Sequence, residues 1–424
     1  MLGAAAARVL GAGTWLVGRD TRESGPELEA ALVSGLQSEG ALIVLCGVLP
    51  TPALAGYSAS RHAPAAMITA SHNPYSDNGV KIFAPGGLKL SDDVEREIEH
   101  QLELGVSAAT ARELRLAEAA APTDVSDTVV GDYIDLVVGL FPPHGLAGLR
   151  VVLDCANGAM SAAAPAVVAA LGADVTVIHD EPNGTNINAD CGATHTASLA
   201  AAVVLRGADV GLAFDGDGDR VIAIDNLGAV IDGDRLIALA ALQLQQEGAL
   251  TNDAVVVTVM SNLGFHHAMR TAGIGVVTTA VGDRYVLEAL DEGGYAIGGE
   301  QSGHIIYRHL ATTGDGLLAG ARLLQYLHDS GRRSAEVAAA VMSTYPQVLV
   351  NVRVDERHPH IADELGDEIE AAEAELGDEG RVLVRASGTE PLVRVMVEAA
   401  TDEAASRLAE RLATVVRSRF GISV

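Results

Sequence analysis

Residues 69–74 read Thr-Ala-Ser-His-Asn-Pro, and this hexapeptide follows the short apolar run 65–68. The run has the length and composition of a buried strand, and the proline at the end of the hexapeptide stops regular structure. Ser71 is therefore predicted to lie on a loop at the end of a strand, where catalytic groups of α/β proteins collect. An Asn-Pro turn with a capping serine is the alternative, and this stretch alone does not exclude it.

A second loop, residues 215–220, reads Asp-Gly-Asp-Gly-Asp-Arg and joins the strand-like runs 210–214 and 221–224. Three carboxylates within five residues repel one another unless a cation neutralises them. The two glycines let the chain curl so that the three side chains converge. Carboxylate oxygens are ligands that suit Mg²⁺ or Ca²⁺. The candidate ligands are Asp215, Asp217 and Asp219.

An EF-hand is the obvious rival for alternating aspartates, but it needs glycine at the sixth loop position and glutamate at the twelfth. Arg220 and Asn226 occupy those positions here, so an EF-hand is excluded. A solvated acidic turn remains as an alternative. Arg220 favours the metal site, because an arginine beside a cation is well placed to hold a phosphate that also contacts the cation.

The third loop, residues 298–304, reads Gly-Gly-Glu-Gln-Ser-Gly-His. Its glycines permit a tight turn that brings several hydrogen-bonding side chains together. Glu300 and Ser302 suit the vicinal hydroxyls of a sugar, which both donate and accept hydrogen bonds. His304 is able to move a proton near neutral pH. A histidine that merely donates a structural hydrogen bond is the alternative.

The fourth loop, residues 385–391, reads Arg-Ala-Ser-Gly-Thr-Glu-Pro, and Arg394 follows it. The Ser-Gly-Thr core is able to present backbone N–H groups and hydroxyls to a single anion. Arg385 and Arg394 add forked donors that match a phosphate. A polar turn without a ligand rarely carries such flanking arginines, so the stretch predicts a phosphate clamp.

Together the four loops resemble the α-D-phosphohexomutase family, whose members carry a serine loop, a metal loop, a sugar loop and a phosphate loop in this chain order. The similarity extends from about Gly18 to near the C-terminus. The resemblance implies an α/β fold with a four-domain architecture: three similar α/β mixed-sheet domains and a smaller α+β C-terminal domain around a central cleft. The stretches that carry it are residues 68–90, 181–195, 281–286, 298–305 and 385–397.

The order of the loops predicts where the domains lie. Alternating apolar strand-like runs and alanine-rich helical stretches indicate α/β layers. We expect the serine loop in domain I, the metal loop in domain II, the sugar loop in domain III and the phosphate loop in domain IV. The predicted limits are 1–122, 123–229, 230–341 and 342–424.

The resemblance also implies a mechanism. Ser71 would be phosphorylated in the active enzyme and would donate its phosphoryl group to the sugar, while one Mg²⁺ per chain contacts that phosphoserine and the three aspartates Asp215, Asp217 and Asp219. Arg220 would brace the phosphoserine. His72, Lys81 and His304 match positions near the reacting groups, and the residues leave open whether His304 or Lys81 is the general base and acid.

The substrate implied by the resemblance is a phosphosugar, and a hexose bisphosphate would serve as activator. The activity would be that of an isomerase that moves a phosphoryl group between the 6- and 1-positions. Glucosamine phosphates are the favoured substrates, with mannose and glucose phosphates as the alternative. Glu300 and Ser302 would bind sugar hydroxyls, and the phosphate that does not react would be held by Arg385, Ser387, Gly388, Thr389 and Arg394.

One departure from the family pattern concerns the first residues. Members usually begin with a Phe-Gly-Thr-Asp-Gly-Ile-Arg-Gly-like segment that supplies a strand and an arginine near the phosphoserine. This chain begins with an alanine-rich stretch and reaches the Gly18-Arg19-Asp20 segment almost at once. We therefore expect domain I to lack its N-terminal strand. A phosphosugar-binding homologue with weak catalysis is accordingly the second functional hypothesis.

Composition excludes several classes of protein. A formal net charge of −28 argues against binding to nucleic acid or to anionic membranes. Three cysteines without a C-x-x-C pair argue against a disulfide framework, and we expect no membrane-spanning run. These features predict a cytoplasmic protein, and the sequence leaves open whether it is a monomer or a homodimer.

Overall fold

The computed structural model describes residues 1–104, 120–387 and 390–421. The chain divides into two compact units. The large unit comprises residues 1–260 and 274–341, and the small unit comprises residues 261–273 and 342–424. The four domain limits predicted from the sequence stay a prediction.

The first sheet of the large unit has six strands in the order β5-β4-β3-β1-β2-β6. Strands β1, β2, β3 and β6 run parallel, whereas β4 and β5 add as antiparallel strands at one edge. The strands are β1 (Thr14–Arg19), β2 (Leu42–Val48), β3 (Ala65–Ile68), β4 (Val80–Ala84), β5 (Leu88–Lys89) and β6 (Thr123–Asp124). The helices are α1 (Leu2–Leu10), α2 (Gly25–Gln37), α3 (Thr51–Arg61) and α4 (Asp92–Glu103).

The second sheet has five strands in the order β11-β10-β9-β7-β8. Strands β7, β8 and β9 are parallel, and β10 and β11 are antiparallel to their neighbours. The strands are β7 (Arg150–Asp154), β8 (Asp174–Ile178), β9 (Val210–Phe214), β10 (Val221–Asp225) and β11 (Val230–Ile231). The helices are α5 (Ser126–Val138), α6 (Met160–Ala170) and α7 (Ala197–Arg206).

The third sheet has four strands in the order β13-β12-β14-β15, and only the β14–β15 pair is antiparallel. The strands are β12 (Ala254–Thr258), β13 (Gly275–Thr279), β14 (Ile297–Gly299) and β15 (Ile305–Tyr307). The helices of this part of the chain are α8 (Gly233–Gln246), a 3₁₀ turn (Thr251–Asp253), α9 (Leu263–Thr271), α10 (Asp283–Gly293), α11 (Gly316–Ser330) and α12 (Ser334–Val341). Helix α9 belongs to the small unit and the others to the large unit.

The small unit contains an antiparallel sheet of three strands in the order β16-β18-β17. The strands are β16 (Gln347–Arg353), β17 (Arg381–Ala386) and β18 (Leu392–Glu398). Apolar side chains of this sheet and of the C-terminal helix form its core. The further helices are α13 (Ile361–Glu364), α14 (Gly366–Leu376), a 3₁₀ turn (Gly377–Glu379) and α15 (Asp402–Phe420).

The three sheets of the large unit share one connectivity. In each, the first strand lies between the second and the third, and a fourth strand pairs antiparallel with the third: β2-β1-β3-β4, β8-β7-β9-β10 and β13-β12-β14-β15. The structure thus confirms three similar mixed sheets followed by a smaller sheet domain. The serine, metal and sugar loops each connect the third strand of their sheet to the fourth, so the fold places them at equivalent positions.

Helix α1 is formed by the alanine-rich stretch. The side chains of Ala4 to Ala7 are buried. Ala6 and Ala7 belong to a core cluster with Leu32 and Leu36 of α2, and Ala5 packs with Ile98 of α4. Alanine side chains are small, so the backbones of neighbouring helices are able to approach closely and pack without gaps.

Two expectations concern the cysteines and the membrane. Cys46, Cys155 and Cys191 are all buried and free. Among the described residues, no helix combines the length and the apolar character that crossing a bilayer requires.

Candidate active site

Three of the predicted loops come together in the large unit. The Ser71 hydroxyl of the serine loop donates a hydrogen bond of 2.6 Å to Oδ2 of Asp215 in the metal loop. The metal loop in turn pairs with the sugar loop, because Arg220 and His304 form an antiparallel bridge and the Val221 N–H donates to the Gly303 carbonyl at 3.1 Å. The three loops, which occupy equivalent positions in their sheets, therefore lie next to one another.

The backbone of Ser71 is held in the left-handed region, with φ of 51°. This conformation is uncommon for a residue with a side chain, so surrounding hydrogen bonds must maintain it. The Ser71 N–H donates to Oγ1 of Thr69 at 2.9 Å, and that hydroxyl donates to Asp20 Oδ2 at 2.7 Å. Asp20 and Thr69 are both buried, which makes this support rigid.

Two side chains that sequence reasoning did not assign to the site also hold this loop. The buried Arg22 donates to the carbonyl oxygens of Asn73 and Ser71, at 2.6 and 3.3 Å. Asn188 donates through Nδ2 to the same carbonyls, at 2.9 and 2.8 Å. A buried ion pair with Asp20 fixes the guanidinium of Arg22. The signal for Asn188 was present, because it lies in the family-like stretch 181–195, but its partner is remote in sequence.

The glycines of the metal loop meet two different requirements. A Cβ atom on Gly216 would lie 2.6 Å from the Ser71 carbonyl oxygen, so only glycine lets the serine loop approach this closely. Gly218 has φ of 74°, a conformation that favours glycine and that turns the chain between Asp217 and Asp219. The predicted curl of this loop is therefore present.

The three aspartates of the loop fit a hard divalent cation. Each offers a carboxylate oxygen within 4.8 Å of the others, and all three side chains are buried. Among the described residues, Oδ1 of Asp217 and Oδ1 of Asp219 find no hydrogen-bond partner. Burial raises the pKa of Asp215 well above its usual range, and the charges of Asp219 and Asp217 raise it further. Oxygen donors that repel one another in a buried cluster are typical of a magnesium or calcium site.

Lys81 supplies a positive charge to this cluster. Its Nζ lies 2.6 Å from Asp217 Oδ2 and 2.7 Å from Asp219 Oδ2. Burial by itself lowers the pKa of Lys81, but the two carboxylates outweigh burial and raise the pKa above its usual range. Lys81 is therefore a firmly protonated ammonium in this arrangement, which suits a charge-stabilising role better than that of a base.

The other two candidates of the serine and metal loops, Arg220 and His72, take different positions. Arg220 is half-buried, and its Nε lies 3.8 Å from Asp219 Oδ1 while its backbone N–H donates to Asp215 Oδ1 at 3.1 Å. His72 is exposed, and its Nδ1 lies 3.5 Å from Ser71 Oγ. Both are close enough to Ser71 or the aspartates to contact a phosphate carried on that serine.

The sugar loop contributes one buried imidazole. His304 is 1% exposed, and among the described residues neither of its ring nitrogens has a hydrogen-bond partner. Burial lowers the pKa of His304 to about 4, and Lys89 and Arg220 act in the same direction against the opposing charges of Asp219 and Glu300. A neutral imidazole with two unused nitrogens is suited to accept a proton from a hydroxyl.

Glu300 and Ser302 of the sugar loop lie in a tight turn. Glu300 is half-buried, and its Oε1 accepts a hydrogen bond of 3.1 Å from the N–H of Gly282. The Gly303 N–H donates to the Glu300 carbonyl at 2.9 Å and closes the turn. Ser302 is exposed at the tip of this turn. The exposed Ser302 hydroxyl and the half-buried Glu300 carboxylate are the polar side-chain groups that these two residues of the turn offer to a ligand.

The predicted phosphate loop connects β17 and β18 in the small unit. Arg385 and Arg394 face each other across these strands, and each half-buried guanidinium adds to the positive charge at this end of the hairpin. Burial lowers the pKa of Arg385, and Arg394 lowers it further. Ser387 is buried at the strand end. Like charges directly opposite in a sheet are unfavourable unless an anion lies between them. The other two predicted residues, Gly388 and Thr389, lie outside the described part of the chain.

The comparisons with known proteins agree with this geometry. Family models match the whole series of domains of the phosphoglucomutase/phosphomannomutase type. The alpha/beta/alpha domains I, II and III match residues 1–107, 132–228 and 232–345, and the C-terminal domain matches residues 349–415.

Curated relatives and solved structures extend the match. Phosphoglucosamine mutase of Frankia casuarinae is 54% identical over 405 residues, which cover 95% of this chain and 88% of the relative. The enzyme of the same name from Thermobifida fusca is 52% identical over 410 residues, with 96% and 90% coverage.

Two solved structures have the same fold. A phosphoglucomutase/phosphomannomutase family protein of Burkholderia thailandensis superposes with a TM-score of 0.79 at 25% identity, over 98% of this chain and 92% of that one. The N-acetylphosphoglucosamine mutase of Aspergillus fumigatus, solved with GlcNAc-6P and magnesium, superposes with a TM-score of 0.67 at 21% identity, over 87% and 93%. The chain therefore belongs to the phosphoglucomutase/phosphomannomutase family, the α-D-phosphohexomutases.

Proposed function

We propose that the chain interconverts glucosamine 6-phosphate and glucosamine 1-phosphate, in keeping with the name of its curated relatives. The observation that carries the proposal is the hydrogen bond between Ser71 Oγ and Asp215 Oδ2, because it places a potential phosphoryl carrier directly at a cluster of three buried carboxylates. A phosphoserine beside a hard cation is the arrangement that phosphoryl transfer requires.

The proposed reaction has two transfers. In the first, a hydroxyl oxygen of the monophosphate attacks the phosphorus of phospho-Ser71, the bond from phosphorus to Ser71 Oγ breaks, and a hexose bisphosphate forms. The bisphosphate then turns end for end. In the second transfer, Ser71 Oγ attacks its other phosphate, the bond from that phosphorus to the sugar oxygen breaks, and the isomeric monophosphate leaves with the serine phosphorylated again.

One Mg²⁺, held by Asp215, Asp217, Asp219 and the oxygens of Ser71, would offset the charge on the transferring phosphoryl oxygens. Lys81, which pairs with Asp217 and Asp219, and Arg220, which lies near Asp219, add positive charge beside the aspartates. These groups supply the electrostatic stabilisation that dominates phosphoryl transfer. His72 Nδ1 lies 3.5 Å from Ser71 Oγ and would donate to the same phosphate.

We assign the general base to His304 rather than to Lys81. His304 is buried, neutral at neutral pH and has two ring nitrogens without partners among the described residues. Lys81 is held as an ammonium by Asp217 and Asp219 and has no free lone pair to accept a proton. His304 would take the hydroxyl proton in the first transfer and return it in the second.

Binding of the sugar and of the phosphate that does not react would fall to the other two loops. Glu300 and Ser302 have the acceptors and donors that sugar hydroxyls need. Arg385, Ser387 and Arg394, with Gly388 and Thr389, would hold the second phosphate in both orientations of the bisphosphate. The opposed arginines are favourable only with an anion between them, which supports this role.

The test is turnover of glucosamine 6-phosphate with Mg²⁺ and a bisphosphate primer, alongside intact-mass analysis. We expect turnover and a phosphate adduct on the peptide that contains Ser71. Ser71→Ala is expected to lose both while it remains folded. Ser76→Ala, which removes an exposed hydroxyl from the same loop, is the matched control and is expected to keep both. Near-normal turnover by Ser71→Ala would contradict the proposal.

A further inference from the structure

The stretch Val-Gly-Asp-Arg-Tyr-Val at residues 281–286 has no role in the transfer steps above, yet it lies against the sugar loop. Its aspartate, Asp283, is the first residue of α10. The preceding residue, Gly282, donates its N–H to Glu300 Oε1 at 3.1 Å. Glu300 is therefore bonded to the residue that precedes Asp283, at the start of α10.

Asp283 also contacts the buried histidine of the sugar loop. Its Oδ2 lies 3.6 Å from His304 Nε2. Because that nitrogen has no hydrogen-bond partner among the described residues, a ligand group placed here would meet an imidazole and a carboxylate together. His304 forms a backbone bridge with Arg220 of the metal loop. Asp283 is therefore close to the loop that holds the three aspartates beside Ser71.

The present partner of Asp283 is a primary ammonium. Lys89 of β5, one of only two lysines in the chain, forms an ion pair with Asp283 Oδ2. Both side chains are only partly exposed, at 21% for Lys89 and 30% for Asp283. The contact shows that this carboxylate accepts a compact group with three N–H donors, and a 2-ammonium group on a sugar has the same chemistry.

We propose that Asp283 is the residue that recognises the 2-ammonium group of the substrate, an inference that rests on the proposed function. Glu300 beside it binds the neighbouring hydroxyl, and the 2-ammonium group shares or replaces the contact that Lys89 now makes. A sugar with a 2-hydroxyl instead donates a hydrogen bond to the Asp283 carboxylate but forms no ion pair with it. Asp283 thus selects a sugar with a 2-ammonium group over an otherwise identical sugar with a 2-hydroxyl.

The alternative explanation of Asp283 is structural: an acidic residue in the first turn of a helix interacts favourably with the helix dipole. That role would be served by a carboxylate directed to solvent. Asp283 instead points toward His304 and Lys89, and it neighbours Glu300 through the Gly282 N–H. The two accounts predict different substrate dependence.

The experiment compares kcat/KM for glucosamine 1-phosphate and glucose 1-phosphate, which differ only at the 2-position. Asp283→Asn removes the charge and keeps the size of the side chain. We expect its kcat/KM for the amino sugar to fall about 10- to 100-fold, because the ion pair with the 2-ammonium group is lost. We expect that for glucose 1-phosphate to change less than about threefold, because the amide oxygen still accepts from a 2-hydroxyl.

The matched control is Asp92→Asn, which removes an exposed carboxylate that pairs with the adjacent Arg284. It is expected to leave the ratio of the two kcat/KM values unchanged. Asp283→Glu keeps the charge and is expected to retain most of the preference for glucosamine 1-phosphate over glucose 1-phosphate. It is the second test variant if Asp283→Asn does not fold.

The outcomes separate the inference from the proposed function. Equal losses for both sugars, or an unchanged ratio, in Asp283→Asn would overturn the role of Asp283 while the wild-type enzyme still acts on glucosamine 1-phosphate. If the wild-type enzyme itself ignores glucosamine 1-phosphate but turns over glucose 1-phosphate, the proposed function fails and the inference fails with it.

Discussion

The side-chain amide of Asn188 donates a hydrogen bond of 2.8 Å to the carbonyl oxygen of Ser71, a residue 117 positions earlier in the chain. The same amide holds the Asn73 carbonyl, so it spans the strained turn that carries the serine hydroxyl. A side chain from the second sheet domain therefore fixes the conformation of a loop from the first.

Asn188→Ala is expected to reduce kcat about 10- to 100-fold, because small displacements of a reacting group are costly. It should also destabilise the protein by about 1 kcal/mol, since Arg22 still donates to both carbonyls. The measurements are steady-state kinetics and the ³¹P chemical shift of the phosphoserine. Asn183→Ala, an exposed amide of the same stretch whose side chain accepts hydrogen bonds from Thr185, is the control and should leave kcat and the ³¹P shift unchanged. A normal kcat with an unshifted ³¹P signal in Asn188→Ala would show that the amide is not needed to position Ser71.

Lys81→Met is expected to strengthen Mn²⁺ or Mg²⁺ binding about tenfold, because the ammonium now occupies oxygens of Asp217 and Asp219 that a cation needs. In EDTA the variant should unfold at a lower temperature than wild type, since three buried carboxylates lose their counter-charge. Calorimetric titration and thermal unfolding with and without metal measure the two effects. Lys89→Met removes the other lysine and is the comparison. Unchanged metal affinity in Lys81→Met would mean that Lys81 and the cation do not compete.

Arg394→Gln is expected to weaken phosphosugar binding about tenfold while it slightly stabilises the protein without ligand. Relief of the repulsion from Arg385 across the strand pair contributes the gain, about 0.2–1 kcal/mol. Binding would thus weaken while stability rises. Loss of an arginine with only a structural role would lower stability instead. Arg353→Gln, an exposed arginine of the same sheet that faces Leu392, is the control and should alter neither property. The role of Arg394 as an anion ligand is wrong if its loss leaves KM and Kd unchanged.

Asp315 gives a prediction on pH. It is buried at the start of α11, where it accepts hydrogen bonds of 2.9 Å from Tyr133 Oη and from the Leu318 N–H. Burial raises the pKa of Asp315 to about 6, above its unfolded value near 3.8. The folded state therefore holds a proton that the unfolded state releases between these values, so this residue lowers stability as the pH rises from about 4 through about 6.

Asp315→Asn keeps the acceptor and the helix cap but cannot ionise. At pH 8 it should be more stable than wild type by about 2–3 kcal/mol, since one pKa unit corresponds to about 1.4 kcal/mol. Below pH ~4 the difference should vanish. Unfolding of both proteins across this pH range measures the effect. A difference that stays constant from pH 4 to pH 8 would show that Asp315 does not titrate with a raised pKa.

The loops were predictable because each is a contiguous segment whose chemistry is carried by neighbouring residues. The aspartates at positions 215, 217 and 219 indicate a cation from their spacing alone, and the structure places them within reach of one ion. Ser71 next to them was an expectation from family resemblance that the structure supports with a direct hydrogen bond. The mixed-sheet architecture followed from the same resemblance and is confirmed.

The shared connectivity of the three sheets could not be read from local pattern, because strand order depends on pairings between distant segments. For the same reason neither Arg22 nor Asn188 was assigned to the site: both are polar residues in turns, and their partners are backbone carbonyls that carry no sequence signal. The proposed assignment of the base to His304 rather than to Lys81 also needed the structure, since it depends on which charges surround each group.

By itself the sequence determined the family, the four functional loops and the kinds of group that each one brings. Only the tertiary structure decided which of those groups meet, how the turn at Ser71 is held open and which carboxylate lies beside His304. The reason is physical: a motif records residues that are close along the chain, whereas protonation, metal affinity and loop conformation depend on residues that folding brings together from far apart.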